Sequence, residues 1–150
     1  MTSYKHILCA TDFSPNCQVA AERALALAGV LGAGLTLLHV VDHFPEDRSN
    51  QIITPEDEDP AAYRAKVAQA AMQALVIELG CTDAAQQIRF STRAAKYEII
   101  DFIREAQVDL VVVASRARLA MPHLLGSTAS GLVHAACCDV LVVRPEDEKA

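Results

Sequence analysis

Three small residues, Gly126, Ser127 and Thr128, begin a predicted helix and could bind a phosphate or another anion. The first amide groups of a helix have no partner inside the helix, and they favour negative charge beyond its N-terminus. A hydroxyl group at this position can either donate to a ligand or cap the helix. The segment therefore predicts an anion site, and a simple N-cap at Ser127 is the alternative.

The loop before this helix, residues 115–125, carries positive charge. Arg116, Arg118 and His123 could pair with phosphate oxygens, because a guanidinium group binds two such oxygens at once. A solvated loop without a ligand is the alternative.

Two apolar runs flank the loop and the helix. Residues 110–114 are rich in valine and predict a strand that is buried on both faces, and residues 139–144 predict a second strand. The helix between them runs to about Cys137. In open parallel sheets, ligands bind at the carboxyl ends of the strands. We therefore expect any small ligand at the loop that follows residue 114.

The rest of the chain alternates in the same way. Apolar runs predict strands over residues 4–10, 35–41 and 88–92, and helical patterns cover residues 15–30, 61–79 and 96–107. In the first helix we expect Val19, Leu27 and Leu31 to face the sheet. The acidic stretch 43–60 contains three prolines and is predicted to be a mobile surface loop, with a lid as the alternative.

These patterns predict a single α/β domain with three layers: an open, mainly parallel sheet of five strands with helices on both faces. Right-handed crossovers and a reversal of winding after the second or third strand place the first and fourth strands side by side. Asp12 and the 115–126 loop would then face each other across one crevice. Turn or capping chemistry is the alternative role for Asp12.

Composition limits the classes of function. The chain has 150 residues, enough for one core, and its 52% hydrophobic and 5% aromatic content suits helices packed on a sheet. A formal net charge of -6 argues against non-specific nucleic-acid binding and against an anionic membrane surface. The longest nearly apolar stretch, residues 27–41, is shorter than the roughly 18–20 residues of a membrane span. We expect a soluble, cytoplasmic protein.

The five cysteines form no C-x-x-C pair. Cys9 and Cys138 fall in or beside apolar runs, which favours reduced thiols in a cytosolic protein. A redox role for the adjacent Cys137 and Cys138 is the alternative.

The sequence resembles the universal stress protein family of the single-domain type along nearly its whole length. The resemblance lies in YKHILCATDFSP at the start, LTLLHVVD, VDLVVVAS, and LLGSTASGLVHAACCDVLVVRP near the end. It implies a Rossmann-like fold, similar to that of adenine nucleotide alpha hydrolases, with strand order 3-2-1-4-5. It also implies homodimers paired through the last strand and, in many members, a site for ATP with Mg²⁺.

The resemblance also assigns a nucleotide site. Asp12 matches the family's acidic residue near the adenine and ribose, Val40 matches the position whose backbone meets adenine, and Val113 lies opposite. The phosphates would lie at the helix start. The site that the resemblance implies comprises Ala10, Thr11, Asp12, Val40, Val113, Ala114, Arg116, Ala117, Gly126, Ser127 and Thr128.

The loop departs from the family's ATP-binding pattern of Gly, two residues, Gly, nine residues, Gly, then Ser or Thr. This chain has Ala114, two residues, Ala117, eight residues, then Gly126 and Ser127. Glycine matters where backbone approaches a phosphate closely or turns with positive φ. A shortened loop ending in LLGS also resembles one branch of the family that handles nucleotide.

Three functions are weighed. The first is a stress-response protein that binds adenine nucleotide with slow or no hydrolysis, and the second is a dimeric scaffold that has lost ATP and acts through protein contacts. The third, a dedicated enzyme such as an ATP pyrophosphatase or hydrolase, has little support. The sequence contains no G-x-x-x-x-G-K-[ST], no S-G-G-x-D loop and no nucleophile elbow.

The last predicted strand has an unusually apolar edge. Val140, Leu141, Val142 and Val143 come last in the winding, so no later strand covers them. Antiparallel pairing with the same strand of a second copy would satisfy this edge. The alternative is that the C-terminal tail or a loop folds over it.

Overall fold

The computed structural model describes residues 3–42, 56–57, 59–115 and 124–145. Within them, strands and helices alternate along the whole chain. In chain order the elements are β1 (His6–Ala10), α1 (Pro15–Leu31), β2 (Gly34–Asp42), α2 (Pro60–Leu79), β3 (Ala85–Ser91), α3 (Ala95–Glu105), β4 (Leu110–Ala114), α4 (Ser127–Ala135) and β5 (Asp139–Val143). Most of the predicted acidic loop, residues 43–55 and 58, lies outside the described residues.

The five strands form one parallel sheet in the order β3-β2-β1-β4-β5, which confirms the predicted topology. β1 lies at the centre, and its Ile7 pairs with Leu35 of β2 on one side and with Leu110 of β4 on the other. The predicted edge positions of β3 and β5 are confirmed. The carboxyl ends of β1 and β4 therefore lie side by side.

Alternate residues of β1 face two separate cores. Ile7 and Cys9 pack in a cluster with α1 and α2, whereas Leu8 and Ala10 pack in a second cluster with α3 and α4. This period of two is what a strand buried on both faces produces. The sheet is thus covered by helices on both faces, as the sequence predicted.

The buried face of α1 differs from the expected one. Its fully buried residues are small: Cys17, Ala20, Ala21, Ala24 and Ala28. Val19 and Leu27 are half-buried, and the expectation for Leu31 was wrong, because 37% of its surface is exposed. Alanine side chains allow close approach of the helix to the sheet, so the larger residues lie at the margins of the contact.

The ends of the helices follow local rules. Ser14 caps α1 by accepting a hydrogen bond from the Cys17 amide at 3.3 Å, and Pro15 occupies the first helical position. Gly32 ends the helix with φ of 65°, in the left-handed region that favours glycine. α4 ends at Ala135, slightly before the predicted Cys137.

A search of the described helices for a membrane span found none that combines sufficient length with sufficient hydropathy.

Two glycines of α1 provide a matched test of this description. Gly29 lies inside the helix and Gly32 caps it, and a methyl group added at either position meets open space. Gly29→Ala should raise the free energy of unfolding by about 0.5–1 kcal/mol, since alanine is the better helix former. Gly32→Ala should lower it by about 1 kcal/mol, because an L side chain is strained at this φ. Urea denaturation of both variants measures this, and equal effects would contradict the assigned helix end.

Candidate functional site

The predicted site lies where β1 and β4 end. β1 and β4 are neighbours, with Cys9 paired to Val112, so both chains leave the sheet at the same edge. The Thr11 amide still donates to Leu38 of β2 at 2.9 Å, and the Ser115 amide donates to Val143 of β5 at 2.9 Å. The two turns that follow therefore start side by side, about one strand spacing apart.

One wall of the site is apolar. Ala10, Val40 and Val113 come from three neighbouring strands and belong to the same buried cluster on the α3 and α4 face. Ala129, in the first turn of α4, belongs to that cluster as well. The structure thus brings three sequence-predicted residues together beside the start of α4.

The turn after β1 is held by its own side chains. Thr11 is buried, and its Oγ1 accepts from the Phe13 amide at 3.0 Å. Asp12 is exposed, and its Oδ1 accepts from the Ser14 amide at 2.9 Å. The turn chemistry weighed as the alternative role of Asp12 is therefore present, and it leaves the residue at the surface where a ligand can reach it.

The N-terminus of α4 has the features of an anion site. Its N-cap is Gly126, with φ of -66° and ψ of 166°, and this residue has no side chain with which to cap the helix. The first intrahelical bond runs from the Ser130 amide to the Gly126 carbonyl at 2.9 Å, so the amides of Thr128 and Ala129 have no partner within the helix. The N-cap alternative for Ser127 was wrong, since Ser127 is the first helical residue and is exposed. The first turn contains no acidic residue that would repel an anion.

Ser115 is a site residue that sequence reasoning missed. It is fully buried, and its carbonyl accepts from the Gly126 amide at 2.6 Å, which places it against the start of α4. Within the part of the chain that the structure describes, its hydroxyl has no hydrogen-bond partner. Leaving a buried hydroxyl unpaired costs about 1–3 kcal/mol, so such groups are commonly completed by a ligand or a water molecule. The sequence feature that could have indicated this role is the position of a serine directly after an apolar strand.

Ala114, which replaces a family glycine, faces the other core. Its methyl group is buried in the cluster that contains Cys17 and Ala21 of α1, on the face opposite to Val113. The added carbon therefore fills space between the sheet and α1 and does not enter the region beside α4. Arg116 and Ala117 of the predicted site, with Arg118 and His123 of the same loop, lie outside the described residues.

His39 joins β2 to the turn that carries Asp12. Its Nδ1 lies 2.8 Å from the Thr11 carbonyl oxygen, and its ring centroid lies 4.4 Å from that of Phe13 at an angle of 41°. Because a carbonyl only accepts, Nδ1 carries the proton. Burial lowers the pKa of His39 below its ordinary value of 6.5, although the bond to Thr11 and the nearby carboxylates of Asp12 and Asp42 oppose this shift. The imidazole is therefore neutral at pH 7.

The five cysteine thiols differ in burial. Cys9, Cys17 and Cys81 are buried, whereas Cys137 is exposed and Cys138 is half-buried. Burial is the main cause that raises the pKa of Cys17 to about 12 and that of Cys138 to about 11, which leaves both as unreactive thiols at neutral pH. In the described ranges, no group of three or more histidine, cysteine or acidic residues is arranged to hold a metal ion.

The family model and two similar curated proteins indicate the same family. A family model described as the universal stress protein family matches residues 3–144. Two proteins from Coxiella burnetii, universal stress protein A homolog 1 and homolog 2, are 30% and 31% identical over 140 and 147 residues. These alignments cover 93% and 96% of this chain, and 96% and 97% of those proteins.

Solved structures agree with this match. Universal stress protein UspA from Lactobacillus plantarum has a TM-score of 0.74 at 27% identity, over 96% of this chain and all of its own. A universal stress protein solved in complex with cAMP has a TM-score of 0.67 at 21% identity, over 95% of this chain and 98% of its own. The fold is thus shared over almost the full length.

The neutral state of His39 predicts a pH dependence of stability. Above pH 6.5 the histidine is neutral in both the folded and the unfolded chain, so it adds no slope. Below pH 6.5, His39 binds a proton more readily in the unfolded chain than in the folded chain. The free energy of unfolding should therefore fall as the pH falls, by at most about 1.4 kcal/mol per pH unit. Urea denaturation between pH 5 and 8 should show this component in the wild type and not in His39→Asn. Parallel pH profiles of the two proteins would contradict the shift.

Proposed function

Because the chain belongs to the universal stress protein family, we propose that it is a cytoplasmic stress-response protein that binds an adenine nucleotide at the carboxyl ends of β1 and β4. The observation that carries the proposal is the start of α4, whose glycine N-cap has no side chain and whose Gly126 amide donates to the carbonyl of Ser115. Among the described residues, the buried hydroxyl of Ser115 has no hydrogen-bond partner. The amides of Thr128 and Ala129 have no partner within the helix, and together with the Ser115 hydroxyl they offer donors suited to phosphate oxygens.

The remaining residues suit the other parts of a nucleotide. The apolar wall of Ala10, Val40 and Val113 offers a surface for the adenine ring. The exposed Asp12 carboxylate can accept hydrogen bonds from the ribose hydroxyl groups. We propose ATP with Mg²⁺ as the bound form, in which the phosphates and water molecules would hold the metal while Asp12 contacts the ribose.

Two further facts support this ligand class. The methyl group of Ala114 packs against α1 and not beside α4, so this departure from the family pattern leaves the phosphate region open. A universal stress protein of similar fold has been solved in complex with cAMP, which is itself an adenine nucleotide.

We also propose a homodimer through β5. Within the described chain, β5 pairs only with β4, and the side chains of Val140, Leu141 and Val142 are half-buried along the open edge. The Val143 carbonyl faces β4, because it accepts from Ser115. Peptide groups alternate in direction along a strand, so the amides of Val140 and Val142 point outward. A second β5 in antiparallel orientation would satisfy them, with or without nucleotide in the site.

Substitutions at the two charged or polar positions test nucleotide binding. Asp12→Asn keeps an oxygen for the Ser14 amide but removes the charge, and it should weaken Mg-ATP binding by roughly fivefold to tenfold. Ser127→Ala should weaken it by a similar factor through the loss of one donor to phosphate. Isothermal titration calorimetry measures both affinities.

Matched controls lie on the same two helices. Glu22→Ala removes an exposed charge from α1, and Ser130→Ala removes a hydroxyl one turn further along α4; neither should change the affinity. If the wild type binds Mg-ATP and the site variants behave like these controls, the assigned site is wrong. A wild type that binds no adenine nucleotide while remaining dimeric would favour the scaffold function.

The dimer is tested by removing one outward amide. Val142→Pro deletes a donor that faces away from β4, so the fold should survive, as proline is tolerated on the open side of edge strands. Val142→Thr keeps the amide and serves as the control. Sedimentation at micromolar concentration should show a dimer for the wild type and the threonine variant, and a monomer for the proline variant. A monomeric wild type would end the proposal.

A further inference from the structure

The turn that carries Asp12 contains a strained residue. Phe13 has φ of 67°, in the left-handed region that a bulky side chain rarely adopts. Such a conformation is strained and persists only where surrounding contacts hold it. The two bonds within the turn, from the Phe13 amide to Thr11 and from the Ser14 amide to Asp12, fix its inner geometry. They do not fix the direction of the turn relative to the sheet.

Two groups of β2 link the turn to the sheet: the Leu38 carbonyl, which accepts from the Thr11 amide, and the His39 side chain. Its Nδ1–H donates to the Thr11 carbonyl at 2.8 Å, and its ring packs on Phe13. Val40, the next residue, belongs to the α3 and α4 cluster, whereas Phe13 packs with the α1 and α2 cluster. His39 therefore contacts the turn from the face opposite to the apolar wall, and it would act on a ligand only through the turn.

The bond fixes one peptide group. The Thr11 amide and the Thr11 carbonyl both point to β2, the first to Leu38 and the second to His39. The described chain has no cis peptide bond, so the N–H of Asp12 points in the direction opposite to the Thr11 carbonyl. This direction is away from the His39 ring, which lies on the α1 and α2 face of the sheet together with Phe13. The peptide plane thus sets where Asp12 leaves the sheet.

We propose that His39 is a positioning residue of the nucleotide site, which orients the Thr11–Asp12 peptide and so directs Asp12 towards the ligand. The inference rests on the proposed nucleotide binding. A purely apolar side chain at position 39 would fill the same space and stack on Phe13, but it would leave the buried Thr11 carbonyl without its donor. The hydrogen bond, and not the bulk of the ring, is what the positioning role requires.

Two substitutions separate the donor from the bulk. His39→Phe keeps an aromatic ring against Phe13 and removes the donor. His39→Asn loses the ring but can place its amide NH₂ where Nδ1 lies. In calorimetric titration with Mg-ATP, far below the melting temperature, His39→Phe should bind about tenfold more weakly than the wild type. His39→Asn should bind at least threefold more tightly than His39→Phe, although it has lost the ring contact.

Amide hydrogen exchange measures the stability of the turn in the absence of a ligand. In the apo protein, the amides of Phe13 and Ser14 should exchange about tenfold faster in His39→Phe, and His39→Asn should restore part of the protection. If His39 acted only through packing, His39→Asn would bind Mg-ATP more weakly than His39→Phe. Its Phe13 and Ser14 amides would also exchange faster than those of His39→Phe.

The outcomes distinguish the two proposals. If the wild type binds Mg-ATP and His39→Phe binds equally well, or if His39→Asn binds no better than His39→Phe, the positioning role is overturned and nucleotide binding stands. If the wild type binds no Mg-ATP, the proposed function is overturned, and the role of His39 in binding is overturned with it.

Discussion

The parallel pairing of β1 with both β2 and β4 is the constraint on which the rest of the structure depends. Residues Ile7 to Cys9 are fully buried, and their side chains alternate between the two helical layers. A one-residue shift in register would exchange these faces and bury the wrong set against each layer. The same pairing makes β1 and β4 end together, so the turn with Asp12 and the start of α4 become neighbours although they are more than 100 positions apart.

The candidate site combines weak features that only the fold brings together. A helix start with a glycine N-cap, a buried hydroxyl without a partner among the described residues and an exposed carboxylate would each have an ordinary structural explanation. Their placement around the ends of two adjacent central strands, beside a shared apolar wall, is what suits a nucleotide. His39 belongs to the same arrangement, because its hydrogen bond to Thr11 connects the turn after β1 to β2 of the sheet.

Much of the fold could be predicted because its signals are local. Valine-rich runs mark the buried strands, Ser14 and Pro15 mark the start of α1, and Gly32 marks its end. The expectation for Leu31 failed because the packing distance of α1 is set by alanines, which carry little hydrophobic signal. The site was predicted less completely. Ser115 matters because its buried hydroxyl has no partner in the described part of the chain, and His39 matters through a bond to a residue 28 positions away. Neither property is visible in one sequence.

The proposed nucleotide site lies between the turn after β1 and the start of α4. Amide chemical shifts recorded during titration of the wild-type protein with Mg-ATP would locate the ligand residue by residue. We expect saturable shifts for residues 11–13, 115 and 126–129, with little change along α2 and the amino-terminal ends of the strands. Saturable shifts elsewhere with none at these positions, or no shifts at millimolar Mg-ATP, would contradict the proposed site.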